Sequence, residues 1–339
     1  MKFRLIVGGL FAAAVAAPAH AQCPTAAADG CQKAVDLLNF MTPQLSTALV
    51  GGNPTLGQGG VLGGLGHFSI DIRASAVNGQ LPKFNNVGLS VSGAQRSTFT
   101  SDQQWVPFPS ADVGIGLWRG VSLGVTHIGG IDALVTATYI PTILSGDQTN
   151  CLPAGGGSCN NKTNLKVSGG NPHLGYGVRV GLLEESVVTP GVSFAWVQRD
   201  LPTLSLTANV DSSGGKPGGT IALNNFTINT SAWRITAAKS FLIFGISGGL
   251  GQDKYDASSS ITATVTAPGN PSGTQAANLS MTRMNYFVGA YVNLFIFKLE
   301  AEYGQVTGGT VPAALNTFGS DAATSRSYAT LGLRFGWGR

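Results

Sequence analysis

Along most of the chain from about residue 66 onward, apolar and polar residues alternate, and no apolar run of membrane-spanning length interrupts the pattern. In Phe68-Ser69-Ile70-Asp71-Ile72-Arg73-Ala74-Ser75-Ala76 every second residue is apolar. The stretch Tyr328–Trp337 repeats the pattern, with Ala329, Leu331, Leu333, Phe335 and Trp337 on one face. Leu299, Ala301 and Tyr303 oppose Lys298, Glu300 and Glu302; Leu174, Tyr176, Val178, Val180 and Leu182 oppose Arg179. A period of two is that of a strand with unlike faces. Only 11% of the residues are charged and 48 are glycine, against about a quarter charged in a typical soluble domain. A chain in lipid must satisfy its own backbone hydrogen bonds, which leaves helices or a closed barrel. With long apolar helices missing, the pattern predicts an all-β fold, a transmembrane antiparallel barrel with apolar residues outward.

At roughly 20 to 23 residues per strand and connection, residues 66–339 hold about 12 to 14 strands. Separate strands are expected to begin near 111 and 121, 219 and 231, and 241 and 259. The weakest stretch is 86–110, where Trp105, Pro107 and Pro109 break the alternation. Tight turns are expected at Trp118–Val121 and Ala238–Phe241. The Gly-, Ser-, Thr-, Asn- and Pro-rich stretches 142–166, 210–220, 254–278 and 307–325 read as long loops. Trp118, Trp196, Trp233 and Trp337, near expected strand ends, suit interfacial girdles.

The N-terminus reads as an export signal. Lys2 and Arg4 precede the apolar run Leu5–Ala17 and a small-x-small site, Ala19-His20-Ala21, so residues 1–21 are expected to be cleaved on the way to the bacterial outer membrane. Loss of Lys2 and Arg4 brings 20 basic residues against 16 acidic close to parity. No basic cluster is left to hold nucleic acid. The four cysteines form two pairs of equal spacing, Cys23/Cys31 and Cys151/Cys159. In an exported chain these predict two local disulfides; no His stands near either pair, so no metal site is expected.

Residues 22–65 form a separate unit. Asp29 with Gln32 three residues on has capping-box spacing, and Val35, Leu38, Met41, Leu45, Ala48 and Leu49 recur at helical intervals. Pro43 suggests a break between helices at 30–41 and 43–50, ended by Gly51-Gly52. The glycine-rich stretch Asn53–Gly66 follows. This unit is either a plug in the barrel or a short periplasmic helix leading into the first strand.

With the apolar faces toward lipid, Asp71, Arg73, Arg179, Arg234, Lys298, Glu300, Glu302 and Arg334 point into the lumen. They make either a charged constriction that selects permeants or an ion-pair network that stiffens the wall. The mature chain has only His67, His127 and His173, none in a Ser/His arrangement, and the Gly-rich 57–66 lacks the Lys-Ser/Thr ending of a phosphate loop. No catalytic residue, no enzymatic activity and no cofactor are therefore expected.

An exported helical segment, the turn Asn53-Pro54 and then a barrel resemble the layout of the fatty-acid-transporter type of outer-membrane channel. The stretches 179–196, 235–251, 285–304 and 331–337 are similar to that broad group. Thr55 replaces the small residue usual after Asn-Pro, and Arg339 ends the chain, so Phe335 or Trp337 stands in as the aromatic assembly signal. The resemblance implies passive transport of a small, hydrophobic molecule, with membrane lipid and the barrel-assembly machinery as partners. A structural or adhesive surface barrel without a conducting pore is the alternative.

Overall fold

The computed structural model describes residues 23–84, 87–139, 163–167 and 172–337. Among these residues one α-helix, α1 (Ala28–Val50), precedes twelve strands: β1 (Phe68–Pro82), β2 (Ser101–Ser122), β3 (His127–Thr138), β4 (Thr163–Val167), β5 (His173–Leu183) and β6 (Gly191–Asp200), then β7 (Leu204–Val210), β8 (Gly219–Phe241), β9 (Phe244–Val265), β10 (Ser272–Leu294), β11 (Phe297–Thr307) and β12 (Arg326–Trp337). They form one antiparallel sheet in the order β4-β7-β8-β6-β5-β3-β2-β1-β12-β11-β10-β9, and β9 pairs back onto β8. That last pairing closes a ring of ten. The remaining two, β4 and β7, extend the wall at one end: β7 pairs with the first half of β8, and β6 with the second half. Leu201–Thr203 separate β6 from β7, so the pair is one interrupted wall strand.

Strands β8, β9 and β10 are 22 to 23 residues long, about twice the 9–11 that cross a bilayer. The extra length explains where the expected boundaries differ. Along β9 the outward residues are first Phe244, Ile246 and Leu250, then Gln252, Lys254, Asp256, Ser258, Ser260, Thr262 and Thr264. The inward ones are first Gly245, Ser247 and Gly249, then Ala257, Ile261, Ala263 and Val265. The two faces exchange polarity midway, because the first half stands in lipid and the second half stands in water around an apolar interior. One strand therefore reads in sequence as two strands beginning near 241 and 259, or as a polar loop over 254–278. The starts at 219 and 231 merge for a related reason: a bulge between Asn224 and Thr227 shifts the register of β8, and Asn225 takes positive φ.

The Trp118–Val121 turn is likewise part of β2, where a bulge follows Gly116 and Gly120 has positive φ. The chain reverses instead at 123–126. The turn expected at Ala238–Phe241 sits slightly later, at 242–243, with Phe241 paired to Phe244. Cys151 and Cys159, and most of 142–166, lie outside the described residues. Cys23 and Cys31 are joined.

The helix is unbroken. Pro43 removes one intrahelical donor, and carbonyls flanking the gap are taken up by side chains: Thr42 Oγ1 donates to Leu38 O at 2.7 Å and Gln44 Nε2 to Phe40 O at 3.1 Å. The capping box does not form, because the helix starts earlier, with Ala27 as its N-cap. Gln32 bonds Asp36 instead, at 2.9 Å.

Candidate functional site: the lumen and its occupant

Helix α1 packs against β1, β2, β6, β8, β9, β10 and β12. Strands all around the ring surround it, so it lies within the barrel. It runs from the end that carries the longest connections (83–100 and 308–325, with 211–218 and 266–271) toward the end where none is longer than seven residues (123–126, 184–190, 242–243 and 295–296). Long connections mark the outside in barrels of this kind. Its first turn therefore lies at the external end. Residues 53–66 continue the segment to the periplasmic end, where β1 begins.

The external half of the lumen is an apolar core. Ala34, Leu37, Leu38 and Phe40 of α1 meet Leu89, Phe99, Leu223, Ile228, Ile261 and Phe318. Phe40 stacks on Phe318 at 5.0 Å between ring centroids, and Phe318 on Phe99 at 4.8 Å. Two of the external connections, through 87–100 and 308–325, are thus folded onto the helix. Polar groups bind them too. The buried Asp29 carboxylate accepts from Ser90 N at 2.7 Å, Gln95 N at 2.8 Å and Lys33 Nζ at 2.5 Å. Asp36 accepts from Asn316 N and Nδ2 at 2.9 and 2.7 Å. Burial lowers the pKa of Lys33, opposed by its hydrogen bond to Asp29.

The middle of the lumen is charged, and its charges close on the end of α1. Helix C-termini leave carbonyls without intrahelical partners and carry partial negative charge. Three arginines from three strands meet that end. Arg73 donates to Gly51 O and Gly52 O, both at 3.1 Å; Arg199 to Leu49 O at 3.3 Å; Arg234 to Val50 O at 3.4 Å. Each has an acid: Arg73 is paired with Asp112, Arg234 with Asp253, and Arg199 lies 3.8 Å from Asp112. Glu302 accepts from Asn53 N at 3.0 Å and from Tyr328 OH at 3.3 Å.

Toward the periplasmic end the wall binds both backbone and side chains of the occupant. Leu62 N donates to both oxygens of Asp132, which also pairs with Arg179 at 2.5 Å. Arg334 binds Asp71 at 2.5 Å and Gln58 Oε1 at 3.1 Å, and Glu300 lies 3.6 Å away. Lys298 donates to Gly57 O at 3.3 Å and sits over the Tyr291 ring at 4.2 Å. Glycines bring the two backbones together: a Cβ on Gly59 would stand 2.2 Å from Gly191 O, and one on Gly116 would stand 2.3 Å from Gly64 O. At the mouth, Gly57–Leu62 and the wall leave a cavity of about 380 Å³ lined by Glu184, Glu185, Ser240, Asn293, Lys298 and Arg334 among others.

All eight charged candidates therefore face inward, seven of them buried and Lys298 half-buried. The structure divides them between two levels: Arg73, Arg234 and Glu302 at the end of α1, and Asp71, Arg334, Glu300, Lys298 and Arg179 around residues 57–62. Asp112, Asp132, Arg199 and Asp253, which complete the pairs, were not among the candidates. Their signal was present: Asp112 and Asp132 each lie in an alternating stretch with apolar neighbours two residues apart on the opposite phase. Of the histidines, His127 contacts Glu184 at 2.6 Å on the periplasmic rim, and His67 stays within its own turn, against Gly64 O at 3.2 Å.

A closed antiparallel ring with an apolar outer band and a polar, occupied interior defines an outer-membrane β-barrel. No family model and no curated protein matches the chain. Among solved structures it is similar to the outer membrane protease OmpT from Escherichia coli, with TM-score 0.40 and 11% identity over 80% of this chain and 97% of that one. It is also similar to the translocator domain of the autotransporter NalP from Neisseria meningitidis, with TM-score 0.32 and 10% identity over 92% and 98%. A third is the toluene transporter TodX from Pseudomonas putida, with TM-score 0.30 and 11% identity over 80% and 88%. The expectation of no enzymatic activity, drawn from the lack of a Ser/His arrangement, is corrected here: one of these similar barrels is a protease. At such identities no reaction or substrate is carried over.

Proposed function

We propose that the protein is a plugged barrel that serves as a structural or adhesive surface protein and does not conduct through its lumen at rest. The apolar core between α1 and the external half of the wall carries this reading. Opening a straight path would expose Leu37, Leu38 and Phe40 together with their wall partners, at about 1.5–3 kcal/mol for each large side chain. It would also strand the arginines around Gly51. The purified protein in planar bilayers and in liposomes is expected to give no steady conductance and no uptake of sugars or fatty acids. A stable open conductance from the wild-type chain would reject the reading.

A second reading, gated transport of a small hydrophobic molecule, draws on the cavity at the periplasmic mouth. There the occupant is held by hydrogen bonds to Gly57, Gln58 and Leu62 and by the buried side chains of Leu56, Val61 and Leu62, outside the continuous core that surrounds α1. It requires uptake that appears only when residues 53–66 are displaced, which a cysteine crosslink between Gly60 and the 184–190 turn should abolish.

A further inference from the structure

Seven arginines are buried among the described residues. Five of them, Arg73, Arg179, Arg199, Arg234 and Arg334, have a carboxylate within 3.8 Å. Arg283 on β10, 1% exposed, and Arg326 on β12, 4% exposed, have no such partner among the described residues. A buried charge is costly unless it is paired, and here two of the same sign are neighbours. Val306 of β11 is paired with Arg326 in the sheet, and its carbonyl accepts from Arg283 Nη2 at 3.2 Å. The same Nη2 donates to Thr324 O at 2.9 Å, two residues before Arg326.

The contacts these side chains make occupy only part of each guanidinium. Arg283 directs Nε to Gly308 O at 2.9 Å and Nη2 to carbonyls at both ends of the 308–325 loop, which pins the loop to the wall. Its Nη1 is buried and has no acceptor. Arg326 donates through Nη2 to Ser320 Oγ at 3.3 Å, and that hydroxyl is itself donated to Gln80 Oε1 at 2.5 Å. Its Nε is likewise buried without an acceptor. The Phe40 ring lies 6.0 Å from the Arg326 guanidinium carbon, so an aromatic face rather than an acid covers one side. The acids of the adjoining helix and loop are already engaged. Asp36 accepts from Asn316 and Gln32, and the exposed Asp321 caps its own turn through Ala323 N at 2.9 Å.

We propose that Arg283 and Arg326 bind a tetrahedral oxoanion, phosphate or sulfate, between the inner wall and the 308–325 loop. Guanidinium N–H groups form charge-assisted hydrogen bonds to the oxygens of such ions, and one doubly charged ion balances both arginines. Chloride would balance only one of them. The ion enters from the external side, where the loop lies, because α1 and its apolar core fill the lumen beneath. Once bound it joins β10, β12 and the loop, so its occupancy stabilises the external surface. The site is independent of whether the barrel conducts.

The test uses the full chain in phosphatidylcholine vesicles, with phosphate or sulfate replacing chloride at constant ionic strength and pH. Equilibrium dialysis against the radiolabelled ions should find one bound per chain, and the urea midpoint should rise and level off as the site fills. Arg326→Gln should weaken binding roughly 10- to 100-fold, the loss of a charge-assisted hydrogen bond. Lys254→Gln, on the outer wall and exposed, should bind as the wild type does. General exclusion of these ions from protein surfaces would raise the midpoint without levelling off and equally in all three proteins; that result would overturn the proposal. So would a wild-type chain that retains neither ion in dialysis. Should Arg326→Gln fail to fold, Arg326→Lys keeps the charge and loses the fork. Its affinity is expected below that of the wild type, and an unchanged affinity would reject the site.

Discussion

Arg73 on β1 donates to the carbonyl of Gly51, the residue that ends α1, at 3.1 Å. The same guanidinium pairs with Asp112 on β2, so one side chain joins two wall strands to the occupant of the lumen. Removing one member of a buried pair leaves the other uncompensated, at about 3–5 kcal/mol. Arg73→Ala is expected to lower stability by about that amount in urea titrations monitored by the gel mobility of the folded barrel. Arg73→Met with Asp112→Asn should cost less than the two single substitutions summed, although Arg199, 3.8 Å from Asp112, then loses its acid. A cost equal to that sum would mean that the pair is not coupled.

Gly59 and Gly60 are adjacent, and the structure treats them differently. A Cβ on Gly59 meets backbone atoms of Gly191 and Ala238 at 2.2 and 2.5 Å, whereas one on Gly60 meets nothing closer than 3.8 Å. Backbone of a closed sheet cannot move aside as a flexible side chain can. Gly59→Ala is therefore expected to unseat residues 57–62 and open them to protease added from the periplasmic side. Gly60→Ala should resemble the wild type. Equal protection of both variants would contradict the close packing of plug and wall.

How much of this arrangement was legible depends on which half of the barrel is considered. The lipid-embedded half follows the simple rule of apolar out and polar in, and it revealed β1, β12 and the inward orientation of Asp71, Arg73, Glu300 and Arg334. The external half reverses the rule. In β9 the apolar phase passes from the even positions up to Leu250 to the odd positions from Tyr255 onward, and a slip of one residue exchanges faces in any period-2 pattern. A reader assuming lipid throughout takes the reversed half for loop. The fate of α1 was open for another reason. Its amphipathic spacing required an apolar cover without naming one. The cover comes from Phe99, Ile261 and Phe318, distant in sequence and joined only by closure of the sheet.

Lys33 provides a pH signature for the external half. Burial lowers its pKa in the folded state, against the pull of Asp29. Between the folded value and the ordinary one, the unfolded chain binds more protons, so this residue's contribution to stability rises with pH across that window. Below the window its penalty is fully present. Lys33→Met is expected to flatten the wild-type rise in urea midpoint as pH approaches the ordinary lysine value. A parallel pH dependence in the two proteins would show that Lys33 is not desolvated.

Phe318 holds the 308–325 loop down by stacking between Phe40 and Phe99. Truncating a buried phenylalanine costs about 3–5 kcal/mol. Asn316 on Asp36 is a second tie to the helix, Thr317 is hydrogen-bonded to Ser97 and Phe99, and Arg283 holds the carbonyls of Gly308 and Thr324 at the ends of the loop. Phe318→Ala should therefore expose the middle of 308–325, rather than its ends, to external protease while leaving the heat-modifiable mobility of the barrel intact. Loss of the folded band instead would mean that the loop is required for closure of the ring.

The change of environment along β10 makes a quantitative test of where lipid ends. Val288 and Ser280 both point outward on the same strand. Val288 lies within the apolar band and Ser280, which donates to Asp256 at 2.6 Å, stands above it. A lysine facing lipid near the midplane costs about 2–4 kcal/mol, and one at the interface about 0–1. Val288→Lys is expected to fall in the first range and Ser280→Lys at or below the second when each is unfolded from vesicles in guanidinium. Equal costs at the two positions would place Ser280 in lipid and extend the band along the whole strand. That outcome would also remove the physical basis for an apolar interior, because the external half would no longer have water on its outer face.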